Sequence, residues 1–244
     1  MKLYTIACEA VTRECMHAAA HSPHVVELSF LPFGLHNTPD ELRAAIQQRI
    51  DEASGGKYDY ILLGYGLCSR GTAALVAGDT PVVIPRAHDC ITLFLGSAER
   101  YSREFREHPG TYYYSPGWIE RKEGDVEQGG MGIIQERLAE ERLIEYTEKY
   151  GEENARFLIE QERQWLRNYT RAAFINMSLG DIPCYREFTR QVADTQGWEY
   201  KEIAGDLSLF NKLFYGDWDN NEFLIVKPGQ RTYEDINLSI ITAE

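Results

Sequence analysis

Four short apolar runs, Leu3–Ala7, Val25–Phe30, Tyr60–Gly64 and Pro81–Ile84, are separated by stretches that read as helices, and this alternation constrains the fold more than any other feature. A strand that returns parallel to its predecessor needs a crossover of a dozen residues or more, which a helix supplies. Ala10–Ala20 fills the first gap. In the second, Thr38-Pro39-Asp40-Glu41 combines a Thr cap, Pro at the first helical position and Glu at the third. Leu42, Ala45, Ile46 and Ala53 then carry one apolar face up to Gly55-Gly56. Ser69–Ala77 reads as a short helix, Ile91–Glu107 as a longer one and Thr111–Tyr114 as an aromatic strand. The pattern predicts an α/β protein with mostly parallel sheets flanked by helices.

Composition changes between Glu120 and Arg171 to an acidic, helix-forming stretch. Ile134, Leu138 and Ile144 precede Gly151 there, and Ala155, Leu158, Ile159 and Leu166 follow it. This predicts a helical pair, either a lid over a ligand crevice or a solvated hairpin packed on a sheet. A second alternating series follows: strand at Ala172–Asn176, helix at Tyr185–Gly197, strand at Trp198–Ile203, helix at Leu207–Tyr215 and strand at Phe223–Val226. The expected division is therefore a flavodoxin-like α/β half over 1–119, an acidic helical insert over 120–171 and a smaller second α/β half over 172–244.

A net charge of −13 with no basic patch argues against a nucleic-acid or anionic-membrane surface, because both require cations to meet phosphates. No signal-like or membrane-spanning apolar run is present, so a cytoplasmic location is expected. Five cysteines is an odd number in a chain too long to need staples. That fits free or metal-bound thiols in a reducing compartment better than a disulfide framework.

Cys8, Cys68 and Cys90 each follow one of the strand-like runs. Loops leaving the carboxyl ends of strands line the ligand crevice of an open α/β sheet. If the first, third and fourth strands are neighbours, as in the flavodoxin-like order, the three thiols meet. Together with His88 of the string His88-Asp89-Cys90 they form the expected metal site. Three thiolates with or without His suit zinc, and three thiolates leaving one iron open suit a substrate-binding [4Fe–4S] cluster. The competing reading is that the cysteines are small buried hydrophobes.

Asp89 and Glu9 are the candidates for proton transfer. Gly66 and Ser69, in Gly64-Tyr65-Gly66-Leu67-Cys68-Ser69-Arg70-Gly71-Thr72, are candidates for binding an anionic ligand, although the loop has neither a Walker ending nor G-x-G-x-x-G spacing. Cys68 is expected at a helix start, where the dipole lowers a thiol pKa. Arg86 is the candidate clamp for a carboxylate or phosphate. Cys15 and His17 read as structural, Cys184 has no required role, and His21, His24, His36 and His108 read as solvated. The cluster Tyr112–Trp118 reads as core, or as the wall of a pocket.

The strings Leu62-Leu63-Gly64-Tyr65-Gly66-Leu67-Cys68 and Ile84-Pro85-Arg86-Ala87-His88-Asp89-Cys90-Ile91-Thr92, with Gly110-Thr111-Tyr112-Tyr113 and Pro116-Gly117-Trp118, resemble the DUF1638 family of bacterial and archaeal proteins. Members are familiar from anaerobes, in company with corrinoid-dependent methyl transfer. The resemblance thus implies a link to one-carbon metabolism and a corrinoid protein as partner. The His-x-Cys element is also similar to the zinc site of thiol-activating corrinoid methyltransferases, but those are barrels and this alternation is not barrel-like. The expected function is a metal-dependent enzyme, a transferase or lyase, acting on a small and anionic molecule. The alternative is a non-catalytic accessory protein holding a metal or ligand in the same place, and an oligomeric state is open in both.

Overall fold

The computed structural model describes residues 1–121, 133–163, 167–180, 183–235 and 240–244. Along the chain run β1 (Lys2–Cys8), α1 (Thr12–His21), β2 (Val25–Leu31), α2 (Pro39–Ala53), β3 (Tyr60–Gly64), β4 (Val82–Pro85), α3 (Cys90–Leu95) and α4 (Ala98–Glu107). Then come β5 (Thr111–Tyr114), α5 (Pro116–Glu120), α6 (Ile133–Tyr150), α7 (Glu152–Arg163), β6 (Arg171–Asn176), α8 (Pro183–Gln196) and β7 (Glu199–Ala204). The chain closes with α9 (Ser208–Tyr215), β8 (Phe223–Val226), β9 (Thr232–Asp235) and β10 (Ile240–Ala243). The protein is α/β, with mixed, mostly parallel sheets flanked by helices. Among the described residues no helix is long and apolar enough to cross a membrane.

Contacts divide the chain into two units. One comprises Met1–Arg103, Met177–Leu179 and Ala204–Glu244, the other Glu104–Asn176 and Gly180–Ile203. In the first, the sheet order is β2-β1-β3-β4-β8. The first four strands are parallel, in the flavodoxin-like order, and β8 pairs antiparallel with β4. Leu3, Ile6, Ala7, Ile61, Leu62, Leu63, Val82, Val83 and Ile84 are all buried. These near-continuous apolar strands are what a parallel sheet covered on both faces requires. Leu42, Ile46, Ile50 and Ala53 of α2 repeat at helical spacing and join the same core.

The second unit holds the sheet β5-β6-β7, with β5 and β6 parallel. Its core joins Tyr114, Ile119, Ala172, Phe174, Val192 and Ala193. Tyr114 is fully buried in it, and partly buried Trp118 packs edge to face on Tyr114 with ring centroids 5.3 Å apart. Gly151, at φ +81°, separates α6 from α7 at the expected break. The side chains of Ile134 and Leu138, and all of Leu166, lie outside the described residues.

Four expectations differ from this fold. Thr111–Tyr114 pairs with Arg171–Asn176 instead of extending the first sheet, where Phe223–Val226 takes the place beside β4. Strand periodicity marks a strand without naming its partner. Ser69–Ala77 forms turns instead of a helix, with Cys68, Ser69, Arg70 and Ala74 at φ 45°, 54°, 73° and 64°. The helix expected over Ile91–Glu107 is two helices parted at Gly96, whose φ of +78° suits glycine and whose Cβ would meet that of Asp206 at 2.6 Å. Thr38 makes no side-chain cap, its hydroxyl donating instead to the Glu41 carboxylate at 3.0 Å.

Candidate functional site

Cys8 is the last residue of β1, Cys68 lies four residues past β3, and Cys90 opens α3 five residues past β4. Because β1, β3 and β4 are consecutive neighbours, their carboxyl ends bring the three thiols to one edge of the sheet. The loops after β3 and β4 are tied backbone to backbone. Leu67 N–H donates to Ala87 at 2.7 Å and Cys68 N–H to His88 at 2.9 Å. Gly66 is what permits this approach: a Cβ there would meet Asp89 N at 2.7 Å and Ala87 O at 2.8 Å. Thr72 closes the loop by donating to the Gly66 carbonyl at 3.1 Å, and Arg43 of α2 donates to the carbonyls of Ala73 and Arg70 at 2.7 and 3.3 Å.

Each of the three cysteines is partly buried and each lies within electrostatic reach of the other two. Burial, then Cys8 and Asp89, push the Cys68 thiol up to about 12, against the opposing pull of the Gly66 and Cys90 backbones. Burial, then Asp89, Cys68 and Cys8, push Cys90 well up. With no helix after Cys68, the dipole that was expected to lower its pKa is absent and desolvation decides the direction. The Cys8 sulfur accepts from Ala10 N–H at 3.5 Å. A fourth thiol, Cys15 on α1, is fully buried; burial raises its pKa most, followed by Glu14 and Cys8. Helical periodicity marked Cys15 only as core, and its nearness to Cys8 comes from the packing of α1.

The other predicted residues have other tasks. Asp89 caps α3, its Oδ1 accepting from Ile91 N–H at 3.0 Å and Thr92 N–H at 3.2 Å, while Oδ2 accepts from the Tyr101 hydroxyl at 3.2 Å. Burial nevertheless raises its pKa. Glu9 Oε2 accepts from Phe33 N–H at 3.1 Å. His88 is exposed, with its ring centroid 6.0 Å from that of Tyr101, and Ser69 is exposed as well. The guanidinium of Arg86 donates to the carbonyls of Asn220 and Ile241 and lies near Asp235. His36 is partly buried, its ring 5.4 Å from that of Phe33, and burial lowers its pKa. Cys184 is exposed. Among the described residues no three His, Cys, Asp or Glu side chains are arranged as ligands of one metal ion.

One residue that the motifs did not single out belongs here. Tyr65 directly follows β3, is 3% exposed, and packs in the same cluster as Cys8, Leu67 and Cys68. Its pKa is pushed far up, first by burial and then by Cys8, Cys68, Cys15 and Glu9. A groove of about 430 Å³ runs elsewhere along α2, lined by Arg43, Gln47, Asp51, Val76, Gly78 and Arg231, and none of the thiols lines it.

Fold and loops together define a flavodoxin-like α/β protein with a cluster of thiols at the carboxyl edge of its parallel sheet. The profile of the DUF1638 family, described as a protein of unknown function, matches residues 30–214, and the chain belongs to that family. No curated protein and no solved structure matches the chain.

Proposed function

We propose that Cys8, Cys68 and Cys90 hold a thiophilic metal centre, an iron–sulfur cluster in preference to a single zinc ion, and that the centre acts on a small molecule. The observation carrying this reading is the placement of three thiols at the ends of three adjacent parallel strands. Cys8, Glu9, Cys15, Tyr65, Cys68, Asp89 and Cys90 are all acids. The cation that was expected among them, Arg86, is engaged with Asn220 and Ile241. A bound metal would displace the thiol protons and offset the charge of the resulting thiolates.

The choice between metals rests on spacing. Zinc holds thiolates about 2.3 Å from itself, so its ligand sulfurs lie within roughly 4 Å of one another. Three thiols carried by three separate strand ends suit the separate corners of a cluster, which are set wider than the shell of one zinc ion. Three thiolates would leave one iron open to a substrate. Asp89 and Glu9 spend carboxylate oxygens on backbone N–H groups, which supports the metal as the reactive element and leaves proton transfer a secondary role for them. The same commitments favour, as the second reading, a non-catalytic protein that holds the centre for a partner.

Anaerobic purification followed by iron, sulfide and zinc analysis and visible absorption tests this. Iron with matching sulfide and charge-transfer absorption supports the cluster. Stoichiometric zinc without iron keeps the thiol site and removes the cluster. Neither metal, in the isolated protein or after reconstitution with ferrous iron and sulfide, overturns the reading.

A further inference from the structure

We propose that the Tyr65 hydroxyl is a hydrogen-bond donor to the group held by Cys8, Cys68 and Cys90, and so a positioning residue of that site. The inference rests on the metal-centre reading above and adds the residue that steadies the bound group. Three observations carry it. The hydroxyl oxygen is buried and makes no hydrogen bond within the described residues. Its side chain belongs to the core cluster against which Cys8 and Cys68 pack, and it lies in the loop that carries Cys68. That loop holds Cys68, Ser69 and Arg70, none of them glycine, consecutively in the left-handed region.

Phenylalanine would fill the same volume in this apolar cluster without burying an unsatisfied hydroxyl, so the hydroxyl costs stability as the site stands. Left-handed backbone at three successive non-glycine residues adds to that cost, and such strain gathers at ligand clamps. Both costs are offset if an electron-rich atom, a cluster sulfide or a ligand oxygen or sulfur on the open iron, accepts from the hydroxyl. Hydrogen bonds to such atoms also tune a cluster's potential.

Tyr65→Phe in the full-length protein tests the proposal, compared with wild type both metal-free and after anaerobic reconstitution with ferrous iron and sulfide. Metal-free, the variant is expected to melt at the wild-type temperature or above, because no bond is lost. Reconstituted, it is expected to release iron to a chelator about tenfold faster or more, since a bond to a charged acceptor is worth that factor, and to show a more negative reduction potential. A lower melting temperature of the metal-free variant would reveal a structural partner and overturn the proposal. Unchanged iron release and potential would also overturn it, while leaving the metal centre intact. A wild-type protein that takes up no iron overturns the metal-centre reading itself and this proposal with it.

Discussion

The backbone N–H of Cys68 donates to the carbonyl of His88 at 2.9 Å, so the loop after β3 is pinned to the loop after β4. Two thiols that are 22 positions apart in sequence, at Cys68 and Cys90, are thereby placed by main-chain bonds as well as by their own side chains. This coupling passes through Gly66.

Gly66→Ala is expected to destabilise the protein by about 1–3 kcal/mol, the usual cost of overpacking, because the added Cβ meets the Asp89 and Ala87 backbone and not a side chain that can swing aside. Chemical denaturation measures it. An unchanged midpoint would mean that the two loops are not in contact as described.

Thiol reactivity follows from the direction of the pKa values. In metal-free folded protein near neutral pH, iodoacetamide should modify exposed Cys184 first, and Cys15, Cys68 and Cys90 only slowly, since burial and acidic neighbours keep those three protonated. Mass spectrometry of a time course gives the order. Labelling of Cys68 as fast as Cys184 would contradict the account.

How much of this was legible beforehand depends on the range of the interactions. The apolar runs located β1 to β4, the 2-1-3-4 order placed Cys8, Cys68 and Cys90 at one edge, and Gly151 marked the break between α6 and α7. The Ala73–Ala77 stretch has the composition of a helix. Its backbone instead pairs with distant chain, Ala74 N–H donating to Thr232 at 2.8 Å and Ala77 N–H to Gln230 at 3.0 Å. The acceptors of Arg86, at Asn220 and Ile241, lie 134 and 155 residues away and are likewise out of reach of a local reading. Tyr65 escaped the motif reading although a signal existed: a tyrosine directly after a buried strand brings a polar atom to the carboxyl edge of the sheet.

In the second unit, Arg171 is 5% exposed and donates to Glu104 at 2.9 Å and to Thr111 Oγ1 at 2.8 Å. Arg171→Met should cost about 3 kcal/mol, because it strands a largely buried carboxylate. Arg156→Met, which breaks the exposed pair with Glu152, should cost under about 1 kcal/mol. Equal losses in denaturant titrations would refute the assigned burial.

Glu27 accepts from the Tyr58 hydroxyl and from Lys57 Nζ at 3.0 Å, and these bonds hold its carboxyl at about 2, below the ordinary value of 4.5. A depressed folded-state pKa contributes stability that is present above the unfolded value and lost as pH falls through the folded one. The stability gap between wild type and Glu27→Gln should therefore shrink as pH drops from about 5 towards 2. A gap independent of pH in urea titrations would rule this out.

The most direct measurement is the iron and sulfide content of Cys8→Ser, Cys68→Ser, Cys90→Ser and Cys184→Ser, prepared and reconstituted anaerobically beside wild type. Oxygen packs like sulfur but is a poor substitute for thiolate. Each of the first three substitutions is expected to strip most of the iron while thermal unfolding stays cooperative, and Cys184→Ser to retain it. Equal iron in all five proteins, or none in any, would contradict the account and leave the thiols as packing residues of an α/β protein.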